Sequence, residues 1–189
     1  MTAALYVDIE RGPYPGMGVD CWGIERDARK YPGPAPVVAH PPCQDWGTLR
    51  HFAKHAPERK ACGPAAVDQV RRWGGVLEHP AGSHLWNVKN MPQPGGQQDL
   101  WGGWTMEVQQ CDWGHPARKL TWLYVVGCAP GDLPPMPSPK TPTHVIAPAK
   151  SPAAREAARG RHIPKSRRHL TPPQFAEWLL EVAATCGAP

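Results

Sequence analysis

Apolar residues along this chain fall into short runs separated by turn-forming residues. Ala4-Leu5-Tyr6-Val7 is rich in strand formers, and Pro36-Val37-Val38-Ala39 reads as a buried strand that ends at His40-Pro41-Pro42-Cys43. The segment from Arg11 to Pro36 is dense in glycine, proline and charge and is expected to be loop, with a helical turn around Ile24 to Arg29. Ala65 to Trp73 shows helical periodicity, with Pro64 at a first-turn position and Gly74-Gly75 as the stop. Val76-Leu77 opens a further strand into Glu78-His79-Pro80; Trp104 to Cys111 alternates, and Leu120 to Val126 is the most strand-like stretch. Ala129 to Pro142 holds six prolines and excludes helix or central strand. Thr171-Pro172-Pro173 then caps an amphipathic helix, Gln174 to Thr185, ended by Gly187. The predicted fold is α/β, a small and mostly parallel sheet with a C-terminal helix packed back onto it. Residues 1–128 form the core, 129–170 a proline-rich and basic segment, and 171–189 the helix that packs on the core.

Composition narrows this picture. The chain has 25 prolines and 19 glycines in 189 residues, about twice the usual share, which excludes a helical bundle or coiled coil. No apolar run has the length of a membrane span, and the start, MTAALYVDIERG, lacks the basic and apolar regions of a signal peptide. A cytoplasmic protein with no membrane partner is expected. The six cysteines include no CxxC pair, and a close cysteine–histidine pair such as Cys111 with His115 is more often coincidence, so no metal site is expected. The net charge of +5 is concentrated: Lys150 to His169 holds seven lysines and arginines against the single acid Glu156. Such a stretch is either solvated linker or a surface for a phosphate backbone, with Arg161, Lys165, Arg167 and Arg168 the candidate contacts.

In open α/β sheets, ligands gather at the carboxyl ends of the strands. Three polar clusters fall at such ends: His40-Pro41-Pro42-Cys43-Gln44, Glu78-His79-Pro80 and Cys111-Asp112-Trp113-Gly114-His115. A free cysteine alone is usually an inert thiol, and a lone strand-end glutamate is a surface carboxylate. Together, a cysteine on a stiff proline loop with a carboxyl and a cation nearby can add to an electron-poor ring while a ring nitrogen is protonated. Trp46, Trp86, Trp101, Trp104, Trp113 and Trp122 flank these clusters. They either stack on unpaired bases or fill a small core, and Trp46 is the stacking candidate.

These residues carry a resemblance. Pro41-Pro42-Cys43-Gln44-Asp45-Trp46 resembles the proline-proline-cysteine-glutamine loop of the DNA cytosine-5 methyltransferases, and Val76-Leu77-Glu78-His79-Pro80 is similar to that family's strand ending in glutamate-asparagine-valine. Cys111 to Gly127 is similar to its later turn, basic pair and hydrophobic strand, and Arg168 to Pro172 to the lead-in of a late helix. The three main motifs occur in the family's order over residues 36 to 127, and the chain also resembles short members encoded by bacteriophages. The resemblance implies a trimmed Rossmann-like methyltransferase core in which Cys43 adds to C6 of a cytosine and Glu78 hydrogen-bonds N3. Pro42, Gln44, Trp46, Arg118 and Thr121 would line the base, and S-adenosylmethionine would donate the methyl group. Its partner would be DNA presenting a flipped or single-stranded cytosine, or a free pyrimidine nucleotide.

The basic pair maps onto Lys119, which keeps a catalytic cation, and onto Thr121, which does not. The cofactor loop maps onto Asp8 to Gly18, with Asp8 and Gly12 as its contacts, but Pro13 and Pro15 remove amide donors and the phenylalanine is absent. Only some 30 residues separate this loop from Cys43, too few for several further strand–helix units. Two alternatives therefore stand beside methyl transfer: a pyrimidine-modifying enzyme that uses the same cysteine and glutamate without S-adenosylmethionine, and a non-catalytic nucleic-acid-binding protein.

Overall fold

The computed structural model describes residues 1–54, 56–146 and 151–187, without the side chains of residues 154, 155, 157 and 165. The apolar runs assemble into one sheet of six strands: β1 (Ala3–Leu5), β2 (Asp20–Trp22), β3 (Val37–Ala39), β4 (Gly75–Pro80), β5 (Trp104–Gln109) and β6 (Leu120–Val126). Their spatial order is β2-β1-β3-β4-β6-β5. The first four are mutually parallel, β6 runs antiparallel to β4, and β5 antiparallel to β6. The α/β class, the mostly parallel sheet and the C-terminal helix expected from the sequence are all present, and the arrangement is compatible with a small Rossmann-like core.

Side chains alternate between two buried faces. Ala3, Leu5, Val37, Ala39, Leu77, Tyr124 and Val126 pack on the side of α1 (Pro57–Trp73). Ala4, Val38, Val76, Leu123 and Val125 pack on the opposite side, with Phe175, Leu179 and Val182 of the C-terminal helix Pro173–Thr185. Burial on both faces is why the strands read as unbroken apolar runs.

Between these two helices lie α2 (Leu85–Val88) and α3 (Pro152–Ala157), which makes the C-terminal helix α4. No side chain caps the first turn of α4, where Thr171 was expected to. That absence costs about 1 kcal/mol. Six buried residues outweigh it, the larger ones contributing about 1.5–3 kcal/mol each.

Three expected boundaries differ in the structure. β2 lies inside the segment expected to be loop; it is a three-residue edge strand whose residues are only half-buried, so it leaves no apolar run to read. α1 starts at Pro57 rather than at Ala65, and Pro64 sits inside it. A proline at 64 leaves the carbonyl of Lys60 without its helical donor. The indole N–H of Trp46 donates to that oxygen at 3.1 Å, so a residue from outside the helix repairs the break. The strand expected to reach Cys111 ends at Gln109, where a short 3-10 helix, Gln110–Trp113, takes over.

The segment after β6 stays on the molecule. Backbone bridges join Ala117 to His144 and Val145 to His162, and Ile163 is buried. Among the described residues no helix is long and apolar enough to cross a membrane.

Candidate functional site

The chain runs from β1 out to β2 and back across β1 to β3, so the strand order reverses between β1 and β3. The carboxyl edge beside such a reversal is where open α/β sheets hold ligands. β3 delivers His40 to Cys43 there, and β4 delivers Glu78 to Pro80. β5, parallel to β4, delivers Gln110, while the antiparallel β6 begins at the same edge just after Lys119. The backbone N–H of Gln110 closes the β5–β6 turn by donating to Lys119 O at 3.1 Å. All three polar clusters named from the sequence thus reach one edge, because parallel strands end together and an antiparallel strand starts where its neighbours stop.

Glu78 is the centre of this edge. Alternation from Leu77 turns it to the α4 side, where it is 8% exposed. Its Oε2 lies 3.0 Å from His40 Nδ1, and its Oε1 accepts from Gln110 Nε2 at 2.9 Å. Gln110 also donates to Thr121 Oγ1 at 3.0 Å, and the hydroxyl of Thr121 donates to Lys119 O. The second ring nitrogen of His40 meets the Tyr14 hydroxyl at 2.5 Å. Burial pushes the Glu78 carboxyl up, but the His40 hydrogen bond, Lys119 and the charges of His40 and His79 outweigh it and hold it down at about 2. Glu78 is therefore a carboxylate at neutral pH. His79, turned to the other face, is fully buried against Trp86 with neither ring nitrogen hydrogen-bonded, and burial lowers it to about 4.

Cys43 is exposed at the rim of this edge. Partial desolvation raises its thiol first, the Glu78 carboxylate raises it further, and Lys119 acts against both. These couplings show that thiol, carboxylate and ammonium share one electrostatic environment. The cysteine loop is held by its own backbone, with Trp46 N–H and Gly47 N–H donating to Cys43 O. Lys119 Nζ also reaches His169 O at 3.5 Å, which ties the basic segment to the site.

Among the residues expected to line the base, Pro42 is half-buried, while Gln44 and Arg118 are exposed. Two others are placed otherwise. Trp46 is 6% exposed and packs in the α1-side core, so its ring faces are not free for stacking. Thr121 is fully buried behind Gln110 and supports the glutamate rather than a ligand. Trp86, Trp104 and Trp113 are also core residues. Sequence reading missed Tyr14 and Gln110 and assigned His40 no role; adjacency to Pro41-Pro42-Cys43 was the only sign of the last.

The loop after β1 closes on itself. The amides of Glu10 and Arg11 both donate to Asp8 Oδ1, and the amide of Gly12 donates to Asp8 O. A Cβ on Gly12 would stand 2.4 Å from Asp8 O, so the turn itself demands glycine. Prolines at 13 and 15 and the inward-turned amides of Glu10, Arg11 and Gly12 remove donors that the resemblance implied for S-adenosylmethionine, and Asp8 and Gly12, bonded to each other, do not fit that role.

In the basic segment, Arg161 donates to Thr143 O and Pro142 O, and Arg168 to Ile163 O. Arg167 is exposed beside a cavity of about 450 Å³ lined also by Trp113, His115 and Gln174. Lys150 and the side chain of Lys165 lie outside the described residues. Among the described residues no group of three or more His, Cys, Asp or Glu is placed to hold a metal ion. No family model matches the chain, and no curated protein is significantly similar to it.

Proposed function

We propose that this protein is an enzyme acting on cytosine in DNA through a covalent adduct between Cys43 and C6 of the base. The observation that supports it is the shared electrostatic environment of an exposed Cys43 thiol, Lys119 and an ionised, doubly hydrogen-bonded Glu78 on one sheet edge. In the step, the thiolate sulfur forms a bond to C6, and the π electrons of the C5–C6 bond shift toward C5. As a C4–C5 double bond forms, the C4–N3 π pair moves onto N3, which takes up through solvent the proton that the Cys43 thiol released, and the Glu78 carboxylate accepts a hydrogen bond from that N3–H. Lys119 stabilises the thiolate. Exposed Arg118 and Arg167 and the adjoining basic segment suit a phosphate backbone. A cytosine must leave the stack, or arrive unpaired, to reach this edge.

The closed loop at Asp8 to Gly12 favours a cofactor-independent modification over methyl transfer from S-adenosylmethionine. Both readings share the adduct and differ in the second reactant. The test is to offer single- and double-stranded DNA containing 5-fluorocytosine, and the free nucleotide, and to look for a denaturation-resistant adduct. Wild type forms it and Cys43→Ser does not; no adduct with any of the three substrates ends this reading. Calorimetric titration with S-adenosylmethionine separates the two versions: binding supports methyl transfer, and an adduct without binding supports the cofactor-independent one.

A further inference from the structure

We infer that Tyr14 and His40 form a positioning relay that fixes the orientation and charge of the Glu78 carboxylate. The catalytic meaning of this relay rests on the cytosine reading above. Its geometry does not. Both ring nitrogens of His40 are engaged, Nδ1 with Glu78 Oε2 at 3.0 Å and Nε2 with the Tyr14 hydroxyl at 2.5 Å. For a neutral imidazole one assignment satisfies both contacts. Nδ1–H donates to the carboxylate, which can only accept, and Nε2 accepts the phenolic O–H. Tyr14 is 2% exposed, and burial raises its phenol well above the ordinary value, so it stays protonated and remains the donor. The tautomer of His40 is thereby determined by a residue from the loop after β1. That loop has its amides turned inward and has become a buttress for the glutamate.

The relay bears on the reaction through the charge of Glu78. In neutral cytosine N3 is itself an acceptor and repels a carboxylate; once Cys43 adds and N3 is protonated, the same carboxylate meets an N3–H donor. The contact therefore strengthens along the reaction coordinate, which raises the rate at saturation rather than the affinity. A protonated Glu78 would instead pair well with the resting base and lose that difference. Gln110 on Oε1 completes the orientation. The groups that face His40 or share its environment are Tyr14 from the 3-10 helix Tyr14–Met17, Glu78 and His79 from β4, Lys119 just before β6, and Cys43 on its own loop.

The test reads Glu78 directly. In the full-length protein, the side-chain carboxyl ¹³C of Glu78 is followed by NMR against pH, together with the ring ¹⁵N shifts of His40. Wild type keeps Glu78 ionised down to about pH 4, with His40 protonated at Nδ1. His40→Ala moves the Glu78 titration upward, and Tyr14→Phe removes the tautomer preference. His40→Asn, which keeps a donor near the Nδ1 position, holds the titration close to wild type and serves as the second variant should His40→Ala fold poorly. With 5-fluorocytosine DNA at saturation, His40→Ala forms the adduct about 10- to 100-fold more slowly, with unchanged DNA affinity, and His40→Asn recovers most of the rate. A Glu78 titration indifferent to His40, or equal adduct rates in wild type and His40→Ala, overturns the relay. A moved titration in a protein whose wild type makes no adduct supports the relay and overturns the cytosine reading instead.

Discussion

Cys43 carries the chemistry proposed for this protein, yet its resting thiol is harder to ionise than an ordinary one. Desolvation and the nearby Glu78 carboxylate raise it, and Lys119 only partly compensates. A raised thiol has less thiolate at neutral pH, so its rate of alkylation by iodoacetamide should still be climbing with pH above the ordinary 9.0. Glu78→Gln removes a like charge and should shift that profile to lower pH; Lys119→Met should shift it higher. Profiles unchanged by both substitutions would mean that the three groups are not coupled. Residue types made Cys43, Glu78 and Lys119 legible as candidates, because a nucleophile, an acid and a cation at strand ends are visible in a sequence. The partners of Glu78 were not legible. His40 and Tyr14 are 26 positions apart and His40 and Glu78 are 38 apart, and no local pattern marks such a contact.

At the scale of elements, the boundaries that failed are those where a distant side chain intervened. Periodicity placed β6 at Leu120–Val126, as observed, and α4 within one residue of its start, since each buries a regular face. α1 was shortened to Ala65–Trp73 because Pro64 is a helix breaker, and the rescue comes from Trp46. Gly63 is part of the same device. A Cβ there would stand 2.6 Å from Trp46 Nε1 and 3.2 Å from Leu85 Cδ1. Gly63→Ala gains about 1 kcal/mol of helix propensity but overpacks an indole pinned by its bond to Lys60 O, which costs about 1–3 kcal/mol. The clash should win, and chemical denaturation should show a net loss of stability. A gain would mean that Trp46 moves aside freely and does not hold α1 together.

The whole molecule stores an acid sensitivity between its two core layers. His79 is held neutral by burial, at about 4 against 6.5 in the unfolded chain. Below 6.5 the unfolded state takes up a proton that the folded state refuses, so the stability present above that pH falls as the pH drops toward about 4. The slope is roughly 1.4 kcal/mol per pH unit. Glu78, at about 2 against 4.5, continues the loss from 4.5 down toward 2, where its carboxylate is finally protonated. Denaturant midpoints should decline steadily from pH 6.5 downward, and His79→Phe should flatten the upper part of that decline; an equal slope in the variant would place the sensitivity elsewhere. The fold class followed from the chain alone, because strands covered on both faces must be apolar throughout and a surface helix must be apolar on one face. Those are local consequences of burial, written in consecutive residues. Which strand lies beside which, the closure of the Asp8–Gly12 loop on itself, the sinking of Trp46 into the core and the chain of contacts from Tyr14 to Glu78 were decided by the folded molecule. Each joins residues through space, at separations where hydrogen bonding and packing leave no periodic trace in the sequence.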